Sequence, residues 1–237
     1  MFKIDLHTHT VSSGHAYSTL EENVNGAVRN GLSILGISDH ASTMPGAPHE
    51  FHFLNMKIVP DTINGIKVLK GIEANIIDFN GSIDVTGELL EKMDYVIASL
   101  HIPIIDPGAL EENTQTLLKV MENDKVIIIG HPDDGRYPTD YERFVLKAKE
   151  TKTLIEINNA SLNPLGSRED TVKNSETILN LCKQYKVPVI LSSDAHVSYD
   201  VGNFSLCLDL INKVNFPLEL IANKDLETLK RLSKIKW

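Results

Sequence analysis

Seven short runs of β-branched and aliphatic residues recur along the chain, at about 2–6, 33–38, 66–72, 94–100, 126–130, 153–157 and 187–193. Segments of helical character separate them. Val126-Ile127-Ile128-Ile129 and Val187-Pro188-Val189-Ile190-Leu191 are apolar without alternation, as in strands covered on both faces of a parallel sheet. Strand and helix repeated in this way imply parallel strands joined by right-handed crossovers. A closed barrel and a doubly wound open sheet both satisfy that pattern. Local signals support the helices. Ser18-Thr19-Leu20-Glu21 reads as a capping box, and Leu20, Val24, Ala27 and Val28 follow on one helical face, with Gly31 as the stop. Ile178, Leu179, Cys182 and Tyr185 form a second stripe, and Leu226, Leu229 and Leu232 a third, behind Asp225 as a cap.

The strand ends separate the two architectures. The first run ends in Asp5-Leu6-His7-Thr8-His9, the second in Ser38-Asp39-His40, the third in Gly71-Ile72-Glu73 and the fourth in Ser99-Leu100-His101. The fifth ends in Gly130-His131-Pro132, the sixth in Asn158-Asn159 and the seventh in Ser193-Asp194-Ala195-His196. Parallel strands present their C-terminal ends on one side, so these residues converge on a single rim, where barrel enzymes carry their chemistry. Outer strands of an open sheet would diverge. The expected fold is therefore an α/β single domain over 1–237, a distorted seven-stranded β/α (TIM-like) barrel.

A lone histidine at a strand end is ordinarily just a hydrogen-bonded polar residue. The set resists that reading. Of nine histidines, six close strand ends and His15 lies in the first loop of the same rim. His49 and His52 fall in the Pro- and Gly-punctuated segment 43–60 and read as loop or pocket-edge residues. In extended backbone, residues i and i+2 share a face, so His7 and His9 can grip one ion; Asp194-Ala195-His196 repeats that spacing. The candidate ligands are His7, His9, His15, His40, Glu73, His101, His131, Asp194 and His196. They are too many for one ion, and they fit three if Glu73 bridges. Pairing of Glu73 with Lys67 or Lys70 is the structural alternative. Histidine-rich ligation suits Zn, with Mn or Fe also compatible. Three divalent ions against two carboxylates leave a formal surplus of about four positive charges, which demands anionic substrates such as phosphate.

Composition adds exclusions. The net charge of −9 argues against a general nucleic-acid binder. Cys182 and Cys207 lack CxxC spacing and read as reduced core thiols. No leader-like segment precedes the first run, and no apolar run reaches membrane-spanning length. The expected location is cytoplasmic.

The strand-end motifs, with Gly46-Ala47-Pro48-His49 and Glu156-Ile157-Asn158-Asn159, resemble in order those of the PHP (polymerase and histidinol phosphatase) superfamily. The YcdX-like phosphatase branch is the nearest in pattern. The resemblance runs from Met1 to about Gly202 and implies a trinuclear zinc-type site. It implies that His7, His9, Glu73 and Asp194 hold one ion, that Glu73 bridges to a second held by His101 and His131, and that His15, His40 and His196 hold the third. It also implies metal-dependent phosphatase activity and a homotrimer. On this expectation a metal-bound hydroxide attacks phosphorus in line, and Glu73, His101 and Asp194 carry the catalysis. Arg136, Arg168 and Asn158 are expected to bind substrate, and Asp39 to orient a ligand histidine. The competing functions are a single-strand-directed nuclease, a histidinol-phosphate phosphatase and a non-catalytic metal-dependent binding protein.

Overall fold

In the computed structural model, residues 2–235 are described. The chain runs β1 (Ile4–Asp5), α1 (Leu20–Arg29), β2 (Ile34–Ile37), α2 (Glu50–Asn55), β3 (Thr62–Ile63), β4 (Ile66–Asn75), α3 (Gly87–Lys92), β5 (Tyr95–Ser99) and α4 (Leu110–Val120). It continues with β6 (Val126–Ile129), α5 (Tyr141–Thr151), β7 (Leu154–Asn158), α6 (Thr171–Tyr185), β8 (Val189–Ser192), α7 (Ser205–Lys213) and α8 (Leu226–Leu232). Seven strands are parallel in the order β1-β2-β4-β5-β6-β7-β8 and curl into a nearly closed, distorted barrel; the short β3 pairs antiparallel with β4. The alternation of apolar runs therefore forms the barrel expected. The β3–β4 hairpin lay outside the strand pattern, because two partly exposed residues carry no periodicity.

Two of the local expectations shift. The cap of α1 is Thr19, paired reciprocally with Glu22, and not Ser18 with Glu21. Ser18 is buried, and its hydroxyl accepts the Ser198 amide from the last rim loop at 2.8 Å. A tertiary contact thus occupies the residue, and the cap moves one position along. Val28 is exposed while Val24 and Ala27 are buried. Gly31 takes a left-handed φ of 67°, and Asp225 caps α8 through the Thr228 amide. Cys182 and Cys207 are buried free thiols in α6 and α7.

Most of the core lies between the sheet and its helices, and a second cluster fills the barrel interior. Tyr95 stands at the centre of that interior, and its hydroxyl donates to the Leu6 carbonyl at 2.6 Å. Gly36 and Gly71, on the strands beside it, make room: a Cβ would sit 2.0 Å from the Tyr95 hydroxyl at the first and 2.2 Å from its ring at the second. Leu229 and Ile235 close the far end.

Closure between β1 and β8 does not use a regular ladder. Near the rim, Thr8 bridges Ala195, and the His9 amide donates to Ala195 at 2.9 Å. At the other end the Asn223 side chain stands in for backbone. Its Oδ1 accepts the Leu191 amide at 2.7 Å, and its Nδ2 donates to Leu191 at 2.6 Å and Ile4 at 2.8 Å. β1 is short because side chains take over its ladder: the Thr8 hydroxyl donates to Gly36, and the Thr8 amide to Ser38 Oγ. Among the described residues, no helix is long and apolar enough to cross a membrane.

Candidate metal centre

The rim gathers all nine candidate ligands. Glu73 is fully buried within β4, which extends through Asn75, so the residue belongs to the strand and does not follow it. Its two oxygens face different partners. Oε2 lies 2.7 Å from His40 Nδ1, 3.4 Å from His7 Nε2 and 3.5 Å from His9 Nε2. Oε1 lies 3.1 Å from His131 Nε2 and 3.3 Å from His101 Nε2, and accepts the Ser99 hydroxyl at 2.7 Å. Asp194 Oδ1 lies 3.5 Å from His7 Nε2 and 3.2 Å from His9 Nε2. His196 Nε2 and His15 Nε2 approach to 3.0 Å. Three groups have ligand atoms close enough to share an ion: His7, His9 and Asp194; His9, His40 and His196; and His40, Glu73 and His101. His15 and His131 adjoin these groups through the contacts just given. Lys70 pairs with Asp61 and not with Glu73.

The donor chemistry fits divalent metal. Tetrahedral ligands about 2.0–2.1 Å from an ion stand about 3.3 Å from one another, and several of these separations fall close to that. Eight buried side-chain atoms among the described residues lack a hydrogen-bond partner, and five belong here: His7 Nε2, His9 Nε2, His40 Nδ1, Glu73 Oε2 and His101 Nε2. Buried polar atoms are almost always satisfied. Five failures in one cluster point to a ligand outside the polypeptide.

Outer partners set which nitrogen is free. Glu156 Oε1 accepts from His7 Nδ1 at 2.7 Å, and Asn75 Oδ1 from His101 Nδ1 at 2.8 Å. Asn75 is oriented by Asp84, which accepts its Nδ2 at 2.7 Å. His196 Nδ1 donates to the Asp194 carbonyl at 3.0 Å. Ser13 has one hydroxyl proton, given to Asp39 Oδ1 at 2.7 Å, so it accepts from His9 Nδ1 at 3.1 Å. With Nδ1 so engaged, His7, His9, His101 and His196 turn Nε2 to the centre, whereas His40 presents Nδ1. His131 and Asp194 adopt positive φ of 28° and 54°, strain of the kind that persists where surrounding structure imposes it. The left-handed turn at Asp194 also breaks the i, i+2 expectation: His196 Nε2 is aimed at His15, and His196 groups with His9 and His40, whereas Asp194 groups with His7 and His9.

Burial and charge act in opposition. Burial alone would raise the Glu73 and Asp194 carboxyls, but the imidazoles around them, with Arg168 beside Asp194, hold both well below the usual range. Burial, with His196 and His40 nearby, lowers His9 to about 3; burial lowers His101 to about 4 against the pull of Glu73. Both therefore stay neutral and keep a lone pair to donate. His7 runs the other way: burial would lower it, yet Glu156, Asp194 and Glu73 raise it well above the ordinary value. A metal would displace that proton.

A cavity of about 420 Å³ opens over the centre. One wall is apolar, from Met44, Pro45, Leu100, Ile102 and Pro103, and the other carries Asp134, Arg136, Ser167 and Arg168. Arg136 is held by a bidentate pair with Asp134, shortest contact 2.6 Å. Arg168 donates to Asp194 Oδ2 at 3.2 Å and to Ser161 Oγ at 2.9 Å. Asn158 is fully buried, does not line the cavity, and donates to Asp194 Oδ2 at 3.1 Å and to Glu156. Arg168 and Asn158 together hold one oxygen of Asp194, so the other points at the histidines. Asp39 accepts from Ser13 and from Thr10, and His49 caps α2 through the Phe51 amide. Sequence reasoning gave no role to Glu156, Asn75 or Ser13. Glu156 had a signal, an acid inside the apolar Leu154-Ile155-Glu156-Ile157; Ser13 and Asn75 had none, since neither stands out beside its neighbours.

The fold and the site define a barrel protein built to bind divalent metal ions on its C-terminal rim. A model of the PHP domain matches residues 5–163, and the chain belongs to that family. It is 46% identical to a probable phosphatase of Clostridium acetobutylicum, across 99% of this chain and 97% of the relative. It is 39% identical to a probable phosphatase of Acetivibrio thermocellus, across 99% and 96%. Among solved structures, the histidinol phosphate phosphatase of Lactococcus lactis, complexed with zinc, L-histidinol and phosphate, superposes with a TM-score of 0.60 at 17% identity, covering 91% of this chain and 94% of that one. A chain of archaeal ribonuclease P with mature tRNA gives 0.62 at 19% identity, covering 97% and 89%. At these identities the structural likeness concerns the fold.

Proposed function

We propose that this protein is a metal-dependent phosphatase that hydrolyses phosphate monoesters at a trinuclear centre. His7, His9, Glu73 and Asp194 hold one ion, Glu73 with His101 and His131 a second, and His15, His40 and His196 the third. The observation that carries this reading is the split of Glu73, whose two oxygens each face a separate set of imidazole nitrogens. The names of the clostridial relatives support the activity, and the zinc and phosphate bound by the Lactococcus enzyme support the choice of metal and substrate.

When bound, the ions would supply Lewis acidity and bring water towards hydroxide at neutral pH. The chain's own residues do the rest. Glu73 and Asp194, both anionic, set the charge of the centre. Arg168 orients Asp194 from the cavity wall and, with Arg136, presents guanidinium to the non-bridging phosphate oxygens. Asn158 supports Asp194 from behind. The apolar wall takes the organic part of the ester and excludes water from it. A homotrimer belongs to the same reading and is checked by sedimentation.

The test combines elemental analysis with turnover. Purified protein should carry close to three divalent ions, preferentially zinc, and release inorganic phosphate from small phosphomonoesters faster than it degrades a short single-stranded oligonucleotide. Histidinol phosphate belongs in the substrate panel. Two ions or fewer would sink the trinuclear centre, and no phosphate release from any ester across the pH range would sink the activity.

A further inference from the structure

His52 lies on α2, outside the nine ligands, in the loop segment whose Met44 and Pro45 wall the cavity. Its Nε2 is 3.2 Å from Asp39 Oδ2. Asp39 is fully buried and accepts from Thr10 N at 2.7 Å, Thr10 Oγ1 at 2.8 Å and Ser13 Oγ at 2.7 Å. Every other partner of this carboxylate is a neutral donor on the first rim loop. His52 alone comes from a different element.

Proton counting fixes the direction of the chain. Asp39 only accepts, so His52 Nε2 donates to it. Ser13 gives its one proton to Asp39, so it accepts from His9 Nδ1 and from the His40 amide at 3.2 Å. A continuous path therefore runs His52 to Asp39 to Ser13, and from there to two ligands at once, by the His9 ring and the His40 backbone. The other side chains on the path are buried, whereas the His52 side chain is 31% exposed.

We infer that His52 is a positioning residue of the metal centre, holding His9 and His40 through Asp39 and Ser13. This rests on the metal-centre reading above. Without the His52 donor, Asp39 Oδ2 keeps only Thr10 Oγ1 and Oδ1 keeps Thr10 N and Ser13 Oγ, so the carboxylate is held from the first rim loop alone and loses its tie to α2. Ser13, and through it His9 Nδ1 and the His40 amide, then rest on a carboxylate braced from one side only. Helix α2 stays docked without His52, since Phe53 beside it is buried in the core.

Zinc affinity, measured by chelator competition on the full chain, tests this. His52→Gln keeps an N–H donor of similar reach, and His52→Met keeps the bulk without a donor. Loss of an outer partner costs about 10–100-fold in metal affinity. His52→Met is expected to weaken at least one zinc site by about tenfold, with His52→Gln close to wild type and the melting temperatures of the metal-free proteins alike. Equal zinc affinity for His52→Met and wild type would overturn the inference while leaving the metal centre intact. Equal weakening in both variants would also overturn it, by assigning the effect to packing. A wild-type protein that binds no zinc would instead remove the metal-centre reading itself.

Discussion

The two ends of the barrel bury polar groups in opposite ways. At the far end, Asn223 is fully buried, and its side chain makes three hydrogen bonds that tie β1 to β8. At the rim, Glu73 is as deeply buried, yet its Oε2 and four facing imidazole nitrogens have no hydrogen-bond partner. An amide whose bonds are all made within the chain stabilises a fold. A carboxylate oxygen faced by imidazole nitrogens with no hydrogen bond among them is poised for a ligand from outside the chain. The contrast separates what the polypeptide does for itself from what it holds ready for metal.

The sharpest way to break this contrast is Glu73→Gln. The variant should fold, because it removes a buried charge, but kcat/KM for phosphomonoester hydrolysis should fall by more than about a hundredfold, since loss of a ligand exceeds loss of an outer partner. Retained activity would mean that Glu73 holds no metal. Next comes metal withdrawal. Ligand at about a hundredfold excess over Kd stabilises by about 2.7 kcal/mol per site, or about 5–10 °C in a chain of this size. Calorimetry with and without chelator should show at least that shift, and none if the rim binds nothing.

Asn223→Leu attacks the opposite end. It leaves the Leu191 amide and the Leu191 and Ile4 carbonyls short of partners, at a cost of about 4 kcal/mol. The loss should be the same with and without metal, as read by denaturant midpoints. A metal-dependent loss would show that the two ends are coupled. Asp5 lies between them, where burial outweighs its bonds from Ser193 and Gly202 and raises its carboxyl from 3.8 to about 6. The folded state then binds this proton more tightly than the unfolded chain does. Its contribution favours folding below about pH 4 and is lost as pH rises through 6, by about 3 kcal/mol for two pK units. Metal-free wild type should therefore lose stability relative to Asp5→Asn across that window; parallel curves would refute the shift. The smallest effect is expected for Gly71→Ala, whose Cβ would meet Tyr95, at about 2 kcal/mol. Thermal melts report it, and zinc affinity should not change.

Some of this was legible in the chain and some was not. The barrel, its rim and the nine candidate ligands could be read because strand period and strand end are local properties, written in runs such as Val126–Ile129 and in the residues that follow them. The His7–His9 pair follows from extended backbone alone. The capping residue of α1, the left-handed turn at Asp194 and the aim of His196 could not be read, because distant groups decide them. Ser198 claims Ser18, and the closure of β8 on β1 sets the turn.

Sequence by itself determined the alternation of parallel strands with helices and the chemical identity of the rim, since both depend on side-chain type and short-range spacing. Tertiary structure alone decided which nitrogen each histidine presents, which oxygen of Asp194 is tied by Arg168 and Asn158, and that His52 reaches His9 through Asp39 and Ser13. Those choices are made by hydrogen bonds between residues far apart in the chain. No local pattern encodes them, because a single donor a few ångströms away is enough to reverse each one.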